Sequence, residues 1–266
     1  MLKVDLHIHS NISDGSDSIE NIIAMAQKNG VDVIAITDHD TLSHQRKIPA
    51  HNPVGVMAGI EISAIDPTTK IKAHILGYHI ENVGLVESVT TPILEKRHLN
   101  SLKQVEVLKK RGYLIEVDTL AKADRKYIYK QHIMEQMVKT GQASNMFGEF
   151  YKNTFKEGGI CDFDIEYINV FDAVKVITEA GGKAVLAHSG QQQNFYLIEK
   201  LIPLGLVGLE YNHPENSQLD KEIILEYSKK YNLFLTGGSD YHGKNDKIPH
   251  QIGSFISHES GVSVLC

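Results

Sequence analysis

The sequence predicts an α/β fold: a sheet of parallel strands closed as a barrel, interrupted by one helical insertion. Three observations predict it. Strand-like and helix-like segments alternate at both ends of the chain. Between about Gly84 and Phe163 the patterning turns purely helical. Side chains able to carry chemistry recur where the predicted strands stop, which is where barrel active sites sit.

The elements follow in order. Leu2 to His9 alternates apolar and polar residues, a strand pattern. Ser16, Asp17 and Ser18 offer caps for a helix from about Ile19 to Asn29, and Gly30 suits its end. Val31 to Thr37 is β-branched and mostly apolar, as a buried parallel strand requires. Val54–Ile62 and Lys72–Tyr78 repeat that character. In the insertion, Leu94, Leu102, Val105 and Leu108 mark a long helix ending at Gly112. Ile128–Thr140 and Ser144–Phe155 read as further helices. The alternation then resumes: helix Val170–Ala180 before Gly181-Gly182, strand Ala184–Ala187, strand Leu206–Glu210, helix Leu219–Lys230 and strand Leu233–Thr236. The expected organisation is a barrel from residues 1–83 and 164–266, with residues 84–163 inserted over its mouth. There is no internal repeat and no low-complexity tract.

Composition narrows the function. The 266 residues are 42% hydrophobic and 23% charged, which excludes wholesale disorder. No apolar run approaches the ~20 residues of a membrane span, and MLKVDLHIHS lacks the basic and apolar regions of a secretory signal. Two cysteines, Cys161 and Cys266, exclude a disulfide framework and point to the cytoplasm. A net charge of −6 argues against a surface built to grip long nucleic acid. Fourteen histidines beside no tryptophan pose the central question, because histidine is the commonest metal ligand.

Those histidines cluster by position. His7 and His9 are two apart in a strand and therefore share a face, with Asp14 just beyond. The second strand ends in Asp38-His39-Asp40, the third at Glu61, and the fourth carries His74. The strand after the insertion ends at His188, the next at Glu210 followed by His213, and the last in Asp240-Tyr241-His242. Each has an ordinary alternative: Asp14 as a turn residue before Gly15, Asp38 or Asp40 as a helix cap, Glu61 as a paired buried carboxylate, a lone histidine as a hydrogen-bonded surface group. Recurrence at nearly every strand end outweighs these alternatives taken singly. His44, His51, His79, His98, His250 and His258 lack such placement and read as surface or structural. His132, on an insertion helix, stays open.

At these residues the chain resembles the PHP family, named for polymerase and histidinol phosphatase. DLHIHS with Asp14, TDHD, GIEIS, His74, AHSG and GGSDYHG stand in family order over essentially the whole sequence. The insertion is similar to that of the stand-alone phosphoesterase branch. The resemblance implies a distorted (β/α)7 TIM-like barrel holding two to three divalent ions, Mn²⁺, Zn²⁺ or Fe²⁺. It implies His7, His9, Asp14, His39, Glu61, His74, His188, Asp240 and His242 as ligands, with Glu61 bridging two ions. Nitrogen and carboxylate donors without thiolate agree with those metals, whereas calcium favours oxygen alone. Asp5, Asp38 and Asp40 are expected to orient imidazoles from behind. Two positions depart from the family. Tyr129-Lys130-Gln131-His132 stands where members of this branch often carry G-R-P-H, and lysine lacks the fork of arginine. Ser189 stands where proline commonly follows the ligand histidine.

The implied activity is hydrolysis of phosphate esters by a hydroxide held between the metals, which clamp attacking and leaving oxygens. Glu61, Asp240 and His213 carry the catalytic expectation, and Arg97, Lys130 and His213 the substrate contacts. Arg97 has the alternative of a solvated helix residue. The favoured substrate is a small phosphorylated metabolite: a nucleoside 3′,5′-bisphosphate or short oligonucleotide, then a cyclic sugar phosphate, then histidinol phosphate. No long nucleic acid and no membrane partner is expected. Two other classes compete. A metal-stabilised structural module usually loses ligands, whereas all the family positions are filled here. An amidohydrolase would be marked by a carboxylated lysine bridging the metals.

Overall fold

Apolar strands and amphipathic helices meet the alternation the sequence predicts. The computed structural model describes residues 2–121 and 126–266; residues 122–125 of the expected insertion lie outside it. The strands are β1 (Val4–Ile8), β2 (Val33–Ile36), β3 (Gly55–Ile65), β4 (Lys72–Tyr78), β5 (Ile168–Asn169), β6 (Lys183–Leu186), β7 (Leu206–Asn212) and β8 (Phe234–Gly237). The α-helices are α1 (Ile19–Lys28), α2 (Val83–Lys110), α3 (Val117–Leu120), α4 (Lys130–Lys139), α5 (Glu149–Phe155), α6 (Val170–Glu179), α7 (Ser189–Gln192), α8 (Ile198–Leu201), α9 (Gln218–Tyr231) and α10 (Glu259–Leu265).

The sheet runs β1-β2-β3-β4-β6-β7-β8, with β5 appended to β3. It curls until its ends meet: Ile8 bridges Tyr241, and the His9 N–H donates to the Tyr241 carbonyl at 2.9 Å. Gly238 permits that closure, because a Cβ there would collide with His7. This is the (β/α)7-type barrel expected.

One expectation is corrected. The sheet is mixed, since β4 runs antiparallel to both β3 and β6. The reason is the short link from Ile65 to Lys72. Asp66 closes it by accepting from the Thr68 N–H and the Thr69 hydroxyl, and Lys70 takes a left-handed conformation. A parallel connection needs a crossover of a dozen or more residues, so so short a link forces a hairpin. As a result β3 continues past the rim, and Glu61 is its seventh residue of eleven, not its last. His74 reaches the mouth from the beginning of β4.

The helices bury their apolar faces on this barrel. α1, capped by Ser18, buries Ile19, Ile22, Ile23 and Ala26. α6 and α9 cover the other side, packing Val174, Ile177 and Ile224 against Ile62, Ile75 and Leu209. α10, which has little sequence signature, sets Leu265 against Leu6, Leu76 and Tyr78. A separate apolar core belongs to the insertion, built from Val105, Leu108, Ile133, Met137 and Phe155. α2 joins the two. Its first half packs Val86 and Val89 on the barrel, and beyond Pro92 its second half packs Leu102, Val105 and Leu108 into the insertion core.

Candidate metal centre

The strand ends at the mouth bring imidazoles and carboxylates from eight separate stretches of chain to one place. Glu61 is at its middle, 1% exposed. Its Oε1 lies 2.6 Å from His74 Nδ1 and 2.9 Å from His188 Nε2. Its Oε2 lies 3.3 Å from His7 Nε2, 3.1 Å from His9 Nε2 and 3.2 Å from His39 Nδ1. The two oxygens therefore face different sets of imidazoles. Among the described residues, every side-chain partner of this carboxylate is a histidine.

Asp240 completes one set, with Oδ1 3.3 Å from His7 Nε2 and 3.2 Å from His9 Nε2. Asp14 anchors another, with Oδ1 3.4 Å from His242 Nε2 and Oδ2 3.8 Å from His39 Nε2. Groups of donor atoms close enough to share an ion form around His7, His9, Glu61 and Asp240; around His9, Asp14, His39 and His242; and around His39, Glu61 and His74. His7, Glu210 and His213 make a further group. All nine positions expected as ligands are thus brought together. The donor chemistry fits divalent ions. His7 Nε2, both nitrogens of His9, His188 Nδ1 and Asp240 Oδ1 are buried without a hydrogen-bond partner among the described residues. Unsatisfied buried polar atoms are rare unless they have a function.

Electrostatics point the same way. Burial works against the charge on Glu61, but the imidazoles of His39, His74 and His7 outweigh it and hold its pKa well below the usual carboxylate range. Asp14 and Asp240 are held down likewise, chiefly by His242 and by His7 respectively, against the pull of burial. Burial opposes charge on His7 too, yet Glu210, Asp240 and Glu61 raise it well above the ordinary value. Burial dominates at His39 and lowers it to about 4, leaving a neutral ring at pH 7. The cluster is one of ionised carboxylates that favour positive charge at their centre.

The backbone is adapted to hold it. Asp40, His188 and Asp240 have φ of 58°, 25° and 51°. Such conformations are uncommon outside glycine and concentrate at functional sites.

The carboxylates behind the cluster differ from expectation. Asp5 accepts backbone N–H groups of His7, Ser239 and Gly253. Asp38 accepts from Ser10 and Ser13 and lies 3.1 Å from Nδ1 of the buried His44; burial raises its pKa, and these neighbours outweigh that to bring it to about 2. Asp40 takes the Ser63 N–H and Arg97. All three brace loops, and none contacts an imidazole of the cluster. Polar side chains that follow directly on strand ends are as useful for pinning the chain as for aiming a ring. The orienting role falls to Glu210. Its Oε1 lies 2.9 Å from His7 Nδ1, and its Oε2 accepts the His188 N–H at 2.9 Å. Its place at a strand end was the available signal; which ring it backs depends on the curl of the sheet.

The expected substrate contacts lie around this centre. His213 is buried, with Nδ1 accepting from the Glu215 N–H and Nε2 3.3 Å from Asp240 Oδ2. Arg97 donates to Asp40 at 2.8 Å and to Ser63 at 3.0 Å, and its guanidinium stacks near Tyr129. Lys130 lies half-buried with its ammonium 5.6 Å from the Phe155 ring. The insertion reaches the centre itself: Gln131 donates to Asp14 at 2.9 Å, and the Tyr129 hydroxyl to the His39 carbonyl. His250, read from sequence as peripheral, lines the cavity over the cluster. His79, His98 and His258 make ordinary structural bonds, and His132 helps cap α4.

The family model for the PHP domain matches residues 5–248. The chain belongs to the PHP family. A phosphoribosyl 1,2-cyclic phosphate 1,2-diphosphodiesterase from Eggerthella lenta is 40% identical to this PHP chain, over 92% of this chain and 96% of that one. A 3′,5′-nucleoside bisphosphate phosphatase from Chromobacterium violaceum is 25% identical over 100% and 94%. A 5′-3′ exoribonuclease from Haemophilus influenzae is 27% identical over 90% of each. In three dimensions the PHP fold here matches a Bifidobacterium adolescentis structure, assigned provisionally as a metal-dependent phosphoesterase. That match has a TM-score of 0.86 at 23% identity and covers 98% and 94% of the two chains. With its relatives and its cluster of donors, this PHP protein is a metal-dependent phosphoesterase, a hydrolase of phosphate esters. No helix among the described residues is long and apolar enough to cross a membrane.

Proposed function

We propose that this protein hydrolyses the cyclic phosphodiester of a small sugar phosphate, with a phosphorylated ribose 1,2-cyclic phosphate as the preferred class. The observation that carries the chemistry is Glu61, whose two oxygens each face their own imidazoles. The choice of substrate is supported by the relative at 40% identity, against 25–27% for those named for bisphosphates and RNA. That reverses the order expected from the sequence, in which the bisphosphate or short oligonucleotide came before the cyclic sugar phosphate. Lysine at position 130 in place of the branch's arginine agrees with the reversal.

His7, His9, Asp14, His39, Glu61, His74, His188, Asp240 and His242 would hold two to three ions of Mn²⁺, Zn²⁺ or Fe²⁺. When bound, such ions supply Lewis acidity, easing deprotonation of water and drawing charge from phosphoryl oxygens. The protein's own groups do the rest. Glu61 and Asp240 set the spacing of the donor sets. Glu210 fixes the His7 ring and the His188 backbone, holding both in one orientation. His213 has Nδ1 occupied by the Glu215 N–H, so its proton sits on Nε2, beside Asp240, where it serves the departing oxygen. Residues 84–163 act as a cover, with Gln131 and Tyr129 reaching down to the ligand loops. The reading keeps the protein in the cytoplasm, where the free thiols Cys161 and Cys266 stay reduced.

The test is a comparison of kcat/KM for the Mn²⁺-loaded protein. The panel is the cyclic phosphate of ribose 5-phosphate, a nucleoside 3′,5′-bisphosphate, a 5′-phosphorylated trinucleotide and histidinol phosphate. The cyclic ester should lead by at least about tenfold, or ~1.4 kcal/mol. A bisphosphate or trinucleotide in first place would overturn the substrate reading, and no hydrolysis of any would overturn the assignment as a whole.

A further inference from the structure

Glu210 has a counterpart on the other side of the cluster. His242 lies in the loop after β8, and the chain then makes one tight helical turn, Gly243–Asn245, that ends at Asp246. The Asp246 side chain folds back on His242 by two routes. Its Oδ2 accepts the His242 N–H at 3.0 Å, and its Oδ1 lies 3.4 Å from His242 Nδ1. The same ring nitrogen lies 2.8 Å from the Asp240 carbonyl oxygen. A carbonyl can only accept, so Nδ1 carries the ring proton. Nε2 keeps its lone pair, on the side of Asp14, whose Oδ1 is 3.4 Å away. A carboxylate beside the protonated nitrogen fixes the tautomer and the orientation of a ligand imidazole.

The turn also holds a second expected ligand. Asn245 is buried, and its Nδ2 donates to the Asp14 carbonyl at 2.9 Å. The Lys244 N–H donates to Ser16 Oγ, and the Ser16 N–H returns a bond to the His242 carbonyl, each at 3.0 Å. Gly243 makes so close an approach possible. Its φ is 70°, and a Cβ there would collide with the Ser16 side chain. Asp14 and His242 share one donor set with His9 and His39, and neither belongs to the sets built on Glu61. Support from behind is therefore partitioned. Glu210 backs His7, and the turn backs Asp14 and His242.

We propose that the segment Gly243–Asp246 builds one ion site that is separable from the rest. Asp246 is the positioning residue for His242 and Asn245 the one for Asp14. Together they decide whether the set of His9, Asp14, His39 and His242 is filled. Whether the cluster holds two ions or three is then set by a segment that supplies none of the expected ligands. The inference rests on the reading of the cluster as the ion-binding centre of a phosphoesterase, and not on which ester is preferred.

The experiment counts ions. Wild type, Asp246→Asn and Asn245→Ala are stripped with a chelator and titrated with Mn²⁺, and bound metal is measured by equilibrium dialysis. Asparagine at 246 keeps an oxygen for the His242 N–H but removes the charge beside Nδ1. Asp246→Asn should weaken the binding of about one ion per chain by roughly 10–100-fold, with the remaining ions at wild-type affinity. Asn245→Ala should weaken the same ion by roughly tenfold, the scale of one hydrogen bond. The melting temperatures of the metal-free proteins should match, which separates loss of the ion from loss of the fold. Binding curves of both variants that overlay the wild type would overturn the proposal. So would loss of every ion together, since the turn would then support the cluster as a whole. Wild-type protein that binds no Mn²⁺ would bring down the ligand assignment itself, and this inference with it.

Discussion

The barrel rim and the insertion bring opposite chemistry to the same cleft. The rim contributes carboxylates and imidazoles: Asp14, Glu61 and Asp240 among histidines from six strand ends and loops. The insertion contributes cations and amides: Arg97, Lys130, Gln131 and Lys156. They also rest on different cores, one around Ile62, Ile75 and Leu209, the other around Leu108, Met137 and Phe155. The contrast teaches how the labour is divided. A region that must hold divalent cations is negative, rigid and tied to hydrogen-bonded strands. The insertion is positive and rests on helices with their own core, joined to the rim through Gln131 and Tyr129.

The sharpest way to break this division is at its centre. Glu61→Ala removes the carboxylate that two of the donor sets share. It should strip bound metal and lower kcat by about 10²–10³-fold or more, the scale for losing a preorganised electrostatic group. Metal analysis and steady-state rates on the same sample check it, and full occupancy would contradict the central role. Phe155→Ala probes the other side. Phe155 is fully buried in the insertion core, so its loss should destabilise that core by about 3–5 kcal/mol. With separate cores, metal content should hold while KM rises; loss of metal together with substrate affinity would show the two regions to be one unit.

Glu210→Gln tests whether the rim is aimed from behind. It keeps the shape but removes the charge facing His7, and should cost about 10–100-fold in metal affinity or activity. Metal titration of the variant reads this directly. The smallest effect belongs to the joint between the regions. Gln131→Ala removes one hydrogen bond from the insertion to Asp14, and should change kcat/KM by only about two- to tenfold. A larger loss would mean that the insertion helps build the metal cluster and is more than a cover.

Much of this was legible in the residues alone. The period of two in Leu2–His9 puts His7 and His9 on one face. Apolar stretches followed by Asp-His-Asp and His-Ser-Gly mark the mouth of a barrel, and the matching family motifs add the other positions expected as ligands. These features are local: alternation, capping and strand length act over a few residues, so the chain displays them in order. The folded arrangement decided what depends on residues far apart in sequence. It turned β4 antiparallel through a hairpin too short to cross over, placing His74 at the beginning of its strand. It set Glu210 behind His7, 203 residues away, and gave Asp5, Asp38 and Asp40 to the loops. It tied Arg97 to Asp40 and set Lys130 and Lys156 in the lining of a cavity beside the cluster. Which carboxylate meets which cation is a matter of distance in three dimensions. Coulomb energy and hydrogen bonding fall off over a few ångströms, and no pattern along the chain encodes that separation.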